Sequence, residues 1–550
     1  MPNATFTPAR AALLWRTTRH LRLVQIIGRA WFRLYQPRPD FAPPPPLAAP
    51  SGPWTPPARR VPSLVSPTTF RFLNEDGSLL ETGWDDPARS KLWRYNQHYF
   101  DDLNAEEAGV RAGWHRALIL DWVAANPPGI GSGWEPYPTS LRIVNWIKWA
   151  LAGHELPPEA VASLAVQARW LTKRLEWHLL GNHLFANAKA LLFVGLWFDG
   201  PEAARWRQRA LSILALEVPE QILPDGGQFE LSPMYHALAI EDLLDLVNLV
   251  RARGRPDDVD LSRAAADWCA RLSLMFGWLA ILSHPDGRIA FFNDSAFGIA
   301  AENAELAGYA GRLGLVVPHP PAGALRLPNS GYARLAKNEA VLLADLAPIG
   351  PDYLPGHAHA DTLSFELSLG TQRVVVNSGT SVYGFGAERL RQRGTAAHST
   401  VTLGNCDSSE VWSGFRVGRR ARVIDAGVGG DADTLWAEGA HDGYVHLPGH
   451  PVHRRRWELG PTGLRVSDSL AGDEAEARYH LHPDIEALQD EPHAGHLLLP
   501  NGRSLRWIAE GGSVHIARSS WHPEFGLSLP TSCLVVPLRD GQATLSLNWA

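Results

Sequence analysis

The chain has 550 residues, 45% apolar and 20% charged, with 51 Lys and Arg against 57 Asp and Glu for a formal net charge of −6. That length calls for two or more packed domains. The acidic balance argues against non-specific nucleic-acid binding but leaves room for a polyanion in a local basic cleft. Three cysteines, Cys269, Cys406 and Cys533, show no paired spacing, which excludes a disulfide framework and a zinc ribbon.

The N-terminus carries Leu23, Val24, Ile27, Ala30, Trp31 and Leu34 at helical spacing, interleaved with Arg16, Arg19, Arg22, Arg29 and Arg33. The arginines interrupt any signal-peptide core, and no apolar run reaches the roughly 20 residues of a membrane-spanning helix. The expected location is therefore cytoplasmic or membrane-peripheral, with the periplasm left open. Such a basic amphipathic helix suits an anionic membrane surface, or it docks on the protein or on a partner subunit of a homodimer. Residues 36–62 are Pro-rich and read as an extended strap, closing a first segment, 1–62. RFLNEDGSLLE follows as a small hairpin with Asp76-Gly77 at its turn.

Helical periodicity then dominates, with helices expected over 105–125, 139–153, 159–180, 183–198, 201–217, 233–253 and 260–280, joined by short Pro- and Gly-bearing connections. Helices so connected pack as antiparallel pairs and can curl into an incomplete ring over 63–325. Beyond about 325 the texture changes to short alternating runs such as AVLLADL, LSFELSL, RVVVNSG and TSCLVVPL, the signature of a sandwich over 326–550. The expected fold class is α+β multidomain, an incomplete (α/α) toroid followed by an antiparallel β-sandwich.

The most chemistry-dense stretch is Gly356-His357-Ala358-His359-Ala360-Asp361, entering the hairpin TLSFELSLG/TQRVVVNSG. If it begins a strand, His357, His359 and Asp361 share a face, where they can bind a metal, position a substrate or move protons. His398 lies at the start of another run. In the helical half, Asn182 and His183 open a helix, with Asn182 suited to an N-cap role. Ser232-Pro233 start another, which puts Tyr235 and His236 in its first turn, near the positive end of the dipole that favours phenolate. Trp134, Tyr137, Arg142 and Asn145 combine stacking and carboxylate-binding groups, and by themselves suit the core as well as a cleft. Arg389, Arg391 and Arg393 form a basic run, by default a solvated surface.

These pieces, LWRYNQHYFDDL, WEPYPTSLRIVNW, GNHLFANAKAL, DGGQFELSPMYH, HPDGRIAFFNDS, GHAHADTLSFEL, VVVNSGTSVYG and RGTAAHSTV, occur in an order that resembles the heparinase II/III family of polysaccharide lyases and its alginate-lyase relatives. The resemblance implies β-elimination on a uronic-acid-containing polysaccharide. Asn182 and His183 would neutralise the uronate carboxylate. Tyr235 would be base, acid or both, and His357 would be the second proton-transfer or neutralising group. Trp134, Tyr137, Arg142, Asn145, His236 and Arg393 would line the substrate cleft. It also implies a structural zinc on His359 and His398. Relatives supply an Asp as third ligand where this chain has Asn377, a poorer ligand, so Asp361 is the substitute or the site is metal-free. Two other classes stay open: a non-catalytic glycan-binding or exopolysaccharide-assembly protein, and a metal-dependent hydrolase using His357, His359 and Asp361. Against the latter, Thr362 follows Asp361 where such hydrolases usually place a further His.

Overall fold

The computed structural model describes residues 7–255 and 257–549. Its helices are α1 (Pro8–Thr18), α2 (Leu23–Leu34), α3 (Leu79–Thr82), α4 (Lys91–Tyr99), α5 (Ala112–Ala125), α6 (Pro136–Leu151), α7 (Pro158–Lys173), α8 (Gly181–Trp197), α9 (Pro201–Gln221), α10 (Pro233–Arg253), α11 (Val259–Ile281), α12 (Asn303–Arg312) and α13 (Ala387–Arg393). Proline opens α1, α6, α7, α9 and α10, where its missing N–H has no intrahelical partner to lose. Ser232 caps α10 by accepting from the Tyr235 N–H at 3.2 Å.

Helices α6, α8 and α10 pack side by side as an inner layer, with α5, α7, α9 and α11 outside them. The inner helices are apolar on nearly every face; in α8 every residue from Leu184 to Trp197 is buried. One buried carboxylate links all three. Asp245 of α10 accepts from Lys148 Nζ of α6 at 3.0 Å and from Lys189 Nζ of α8 at 2.7 Å. Burial works to raise the Asp245 pKa, but the two ammonium groups outweigh it and hold the group ionised. Residues 36–62 run extended over the outside of this ring, with Arg169 donating to the carbonyls of Ala42 and Pro43 and Arg253 to that of Ala48.

The C-terminal half is a sandwich of antiparallel sheets. An eight-stranded sheet runs in the order Val423–Gly430, Leu435–His441, His453–Leu459, Gly463–Ser469, Gln542–Asn548, Ser504–Glu510, Ala494–Leu498, Glu486–Glu491. Facing it are a five-stranded sheet (Gly323–Arg326, Tyr332–Lys337, Ala340–Asp345, Phe365–Leu369, Gln372–Val375) and a four-stranded one (His515–Trp521, Leu529–Pro537, Ala475–His480, Val401–Leu403). Leu342, Phe365, Leu367, Tyr479 and Leu534 from the smaller sheets meet Trp457, Val466, Trp507 and Leu545 from the larger. The five-stranded sheet is buried on its other face too, where Tyr332, Val341 and Leu343 pack on Trp278, Ile281 and Leu282 at the end of α11. This second apolar layer joins the helical ring to the sandwich.

Three local expectations are corrected. The first hairpin turns at Leu73-Asn74, both at positive φ, and not at Asp76-Gly77. Gly77 instead lies in the strand, because a Cβ there would stand 2.4 Å from the Trp93 ring. The GHAHAD stretch is a loop, with the strand beginning only at Phe365. Asn182 is not a cap: Leu180 takes that position at φ 62°, and Asn182 is the second residue of α8.

Replacing Asp245 by Asn leaves Lys189 with Asp242 alone and Lys148 with Glu241, 3.8 Å away, as counter-charges. A loss of about 3–5 kcal/mol of stability is expected by denaturant unfolding. Because the native pKa is depressed, this stabilisation is present above the unfolded carboxylate value and fades as pH falls through the native one, so wild type and Asp245→Asn should converge in acid.

Candidate active site

The first turns of the three inner helices face the sandwich. Tyr137 comes from α6, Asn182 and His183 from α8, and Tyr235 from α10. Across from them the 356–361 loop presents His357. The Tyr235 and His357 rings lie 3.9 Å apart between centroids, tilted by 30°. The Tyr235 hydroxyl is 3.0 Å from that of Tyr383, from the sandwich side. The His183 ring lies 4.6 Å from that of Tyr137. Glu230 bridges the two ends, its Oε2 3.7 Å from His357 Nε2. At φ +54° Gly181 takes a backbone conformation that favours glycine at the start of α8, and a Cβ there would press on the Leu354 side chain at 2.4 Å.

Asp294 organises the sandwich side. Its Oδ2 accepts from His357 Nδ1 at 2.9 Å and its Oδ1 from His359 Nε2 at 2.8 Å. Arg389 grips both oxygens, with NH2 2.7 Å from Oδ2. Burial pushes the Asp294 pKa up, but Arg389 and the two imidazoles carry it well below the usual carboxylate range. An ionised Asp294 can only accept, so His357 carries a proton on Nδ1 and turns Nε2 toward Glu230 and the cleft.

Electrostatics separate the titratable groups of the cleft. Burial, reinforced by Tyr383 and by the charge of Asp294, pushes the Tyr235 hydroxyl pKa well above 10. The expectation that the α10 dipole favours phenolate is thus overturned: desolvation outweighs the dipole and favours the neutral hydroxyl. His183 is shifted the other way. Burial disfavours its charge, yet Glu176, 3.2 Å from Nδ1, and the field of Glu230 raise its pKa above the ordinary value. Glu176 is fixed in turn by the fully buried Asn187 amide, which donates to its Oε2 at 3.1 Å. The Asn182 side chain is half-buried beside His183 and has no hydrogen-bond partner among the described residues.

Five residues expected in the cleft are core elements instead. Trp134 packs between Trp122 and Trp170 and donates to the Asn126 carbonyl. Arg142 is fully buried, 3.7 Å over the Trp122 ring, donating to Gln167 and to the Gly133 carbonyl. Asn145 is bonded to Asp101 and to the Tyr99 carbonyl. His236 bridges the Gln228 N–H and the Met275 carbonyl. Arg393 donates twice to the Ala358 carbonyl, bracing the loop that carries His357. Their polar atoms are taken up inside the protein, so none is free for substrate. Sequence reasoning passed over Glu176, Glu230, Asp294 and Tyr383. The last three stand in quoted motifs (DGGQFELSPMYH, HPDGRIAFFNDS, VVVNSGTSVYG), but no spacing marks them as neighbours of His357.

One cluster has the chemistry of a metal site. Donor atoms of His359, Asp361 and His398 all lie within 4.8 Å of one another, with His359 Nδ1 and His398 Nε2 3.2 Å apart. Asp294 holds the other nitrogen of His359, the outer-shell carboxylate–histidine arrangement common around bound metals. Burial lowers the pKa of His359 to about 4 and of His398 to about 3, so both rings are neutral. Two neutral imidazoles and a carboxylate suit zinc. Asn377 is not part of this set: its amide donates to Ser364 Oγ at 3.2 Å and accepts from the Ser399 N–H at 3.0 Å. Asp361 is the carboxyl group that lies beside the two imidazoles.

Comparison with known proteins agrees with this architecture. Residues 115–309 match the family profile described as Heparinase II/III N-terminus, and residues 319–550 the one described as Heparinase II/III-like, C-terminal. The FtsZ-localized protein C of Caulobacter vibrioides is 29% identical over 76% of this chain and 74% of its own length. A heparin-sulfate lyase of Pedobacter heparinus is 27% identical over 52% of this chain; the match spans 47% of that lyase. Among solved structures, heparinase III superposes with a TM-score of 0.64 at 16% identity, covering 84% of this chain and 76% of the other. Heparan sulfate lyase HepC from Pedobacter heparinus gives 0.57 at 21%, covering 84% and 77%. The two profiles together take in both the ring and the sandwich, and the chain belongs to the heparinase II/III-like family of polysaccharide lyases.

Proposed function

We propose that this chain cleaves a uronic-acid-containing polysaccharide by β-elimination, with His357 taking the C5 proton and Tyr235 protonating the leaving oxygen at C4. The observation that carries this reading is the stacking of Tyr235 on His357 at 3.9 Å, one from the helical ring and one from the sandwich. Asp294 holds a proton on His357 Nδ1, so the neutral form of the ring offers Nε2 as the base. Tyr235, kept neutral by burial, has a proton to give. As the C5–H bond breaks, its electrons form the C4–C5 double bond and the C4–O4 bond leaves with its pair, which the Tyr235 proton neutralises. The imidazolium and phenolate left behind are adjacent, so the resting protonation is restored over a short path.

Charge develops on the uronate carboxylate as C5 is deprotonated, and this must be stabilised. No arginine side chain among those expected in the cleft serves, since Arg142 and Arg393 are fully buried. Three features support an alternative. The N-terminal ends of α6, α8 and α10 all face the cleft and favour an anion; Asn182 has a free amide; and His183 is biased toward imidazolium. Glu230, its pKa raised chiefly by burial, has a weakened charge with which to oppose the substrate. When bound by His359, Asp361 and His398, zinc would supply structural cross-linking of the loop behind His357.

A second reading has one observation in its favour, the relative named for its localisation with FtsZ rather than for an activity. A glycan-binding protein without catalysis would bind uronate polymers and leave them intact after long incubation.

With a panel of heparan sulfate, hyaluronan, alginate and glucuronan, turnover is expected to generate the ultraviolet absorbance of a conjugated unsaturated uronate. Tyr235→Phe should lower kcat/KM by roughly 10²–10⁴-fold, and undiminished turnover in that variant rules out the assigned acid. Because the native His183 pKa is raised, its charge is present at low pH and lost as pH rises through that value. Activity should therefore decline on an alkaline limb lying above the ordinary histidine value, and His183→Gln should flatten that limb. Elemental analysis of the purified protein should find about one equivalent of zinc per chain. Asp361→Ala should abolish it and lower the thermal midpoint, whereas a metal-free wild type indifferent to added zinc speaks for a hydrogen-bonded site.

A further inference from the structure

Helices α1 and α2 lie apart from the site, and their chemistry is not absorbed by it. One face of α2 is fastened to the protein. Gln25 donates to the Tyr353 carbonyl at 3.1 Å, and the Arg22 guanidinium lies 3.6 Å over the Tyr353 ring while pairing with Glu220. The Phe32 ring sits 4.2 Å from that of His178, under the Arg174 guanidinium. The opposite face is open. Leu23, Ile27, Trp31 and Leu34 follow one another at helical spacing and are 69%, 59%, 59% and 84% exposed. Ile26 beside them and Trp15 on α1 are exposed as well. Between this stripe and residues 173–177 runs a groove of about 440 Å³, walled by Leu23, Ile27, Trp31 and Trp177, with Lys173 at its edge. A contiguous apolar face of this kind, rimmed by charge, marks an interaction surface.

The charge around it selects the partner. Residues 7–35 contain Arg10, Arg16, Arg19, Arg22, Arg29 and Arg33 and no acidic residue. Arg16 and Arg22 are paired with Glu410 and Glu220. Arg29 is exposed; partial desolvation and the repulsive field of Arg416 and Arg33 lower its pKa. Like charges crowded beside an apolar stripe disfavour a second copy of this chain, since a two-fold contact sets the same arginines against each other. A bilayer with anionic headgroups satisfies both features, taking the stripe below the headgroups and the guanidiniums among them. No helix among the described residues is long and apolar enough to cross a membrane, so the contact is peripheral.

We infer that α2 is an interfacial anchor that seats its Leu23–Leu34 face in an anionic lipid surface. The inference stands independently of the lyase reading. Its inner face grips Tyr353, the neighbour of Leu354, which packs over Gly181 beside Asn182. Anchoring would thus hold the cleft close to the bilayer.

Flotation of the full chain with phosphatidylglycerol/phosphatidylcholine vesicles tests it, with pure phosphatidylcholine vesicles as the comparison. Binding is expected to the anionic vesicles, weakened by salt, and to be negligible on the neutral ones. The Ile27→Glu/Trp31→Glu pair should reduce the bound fraction on the order of 10-fold or more. The milder Arg29→Gln/Arg33→Gln pair should weaken binding to anionic vesicles specifically. Both should keep the wild-type thermal midpoint, because these side chains lie outside the two cores. Absence of binding to anionic vesicles, equal binding to neutral ones, or a wild-type dimer in sedimentation equilibrium that Ile27→Glu dissociates would each overturn the proposal.

Discussion

The arrangement depends on one buried carboxylate. Asp294 accepts from His357, His359, Arg389 and Thr380 through its side chain, and its backbone N–H donates to the His357 carbonyl. Its own carbonyl accepts from Ser232, the residue that caps α10 and so sets the position of Tyr235. A single residue thereby fixes the orientation of the imidazole from the sandwich and of the phenol from the ring. Arg389 makes this affordable: without it, an ionised carboxylate removed from water would protonate or pull solvent in. With it, the charge persists and defines which nitrogen of His357 bears the proton.

The same logic explains why the cleft is poor in exposed cations although the proposed substrate is acidic. Arg142, Arg389 and Arg393 are all consumed by structure, stacking on aromatics, holding Asp294 or bracing the 356–361 loop. On the proposed reading, the positive potential offered to a uronate comes from the ends of α6, α8 and α10 and from His183. Those helix ends are brought together by Asp245, which draws Lys148 and Lys189 toward α10 well away from the site. Positioning at the cleft is therefore set by charge pairs that never touch a ligand, a division between rigid support and working residues that favours preorganisation.

The surface stripe on α2 belongs to a different order of design. Where the inner helices hide apolar residues on every face, α2 hides only Gln25 fully. The sequence pattern of an amphipathic helix is the same in both outcomes, burial against protein or exposure; what differs is which face meets a neighbour. Here the neighbour is met by Gln25, Arg22 and Phe32, and the larger apolar face is left outward.

By itself, the sequence determined the class of fold and the order of its parts. Period 3.6 apolar spacing and Pro-marked starts located α10 at its observed bounds, because those signals are local, but set the start of α5 at 105 where it begins at Ala112 and the end of α7 at 180 where it ends at Lys173. Alternation located the hairpin of Phe365–Leu369 with Gln372–Val375 for the same reason. The ordered motifs placed Tyr235, His357 and His183 in one cleft. Only the tertiary structure decided which polar residues face solvent. Trp134, Arg142, Asn145, His236 and Arg393 bear the same chemistry as cleft residues and lie in the same motifs, yet partners distant in sequence, such as Gln167 for Arg142 and Ala358 for Arg393, draw them inward. The closeness of Asp361 to the two imidazoles, and the shift of Tyr235 toward its neutral form against the helix dipole, likewise follow from packing and desolvation, which depend on what folds over a residue and leave no periodicity to read.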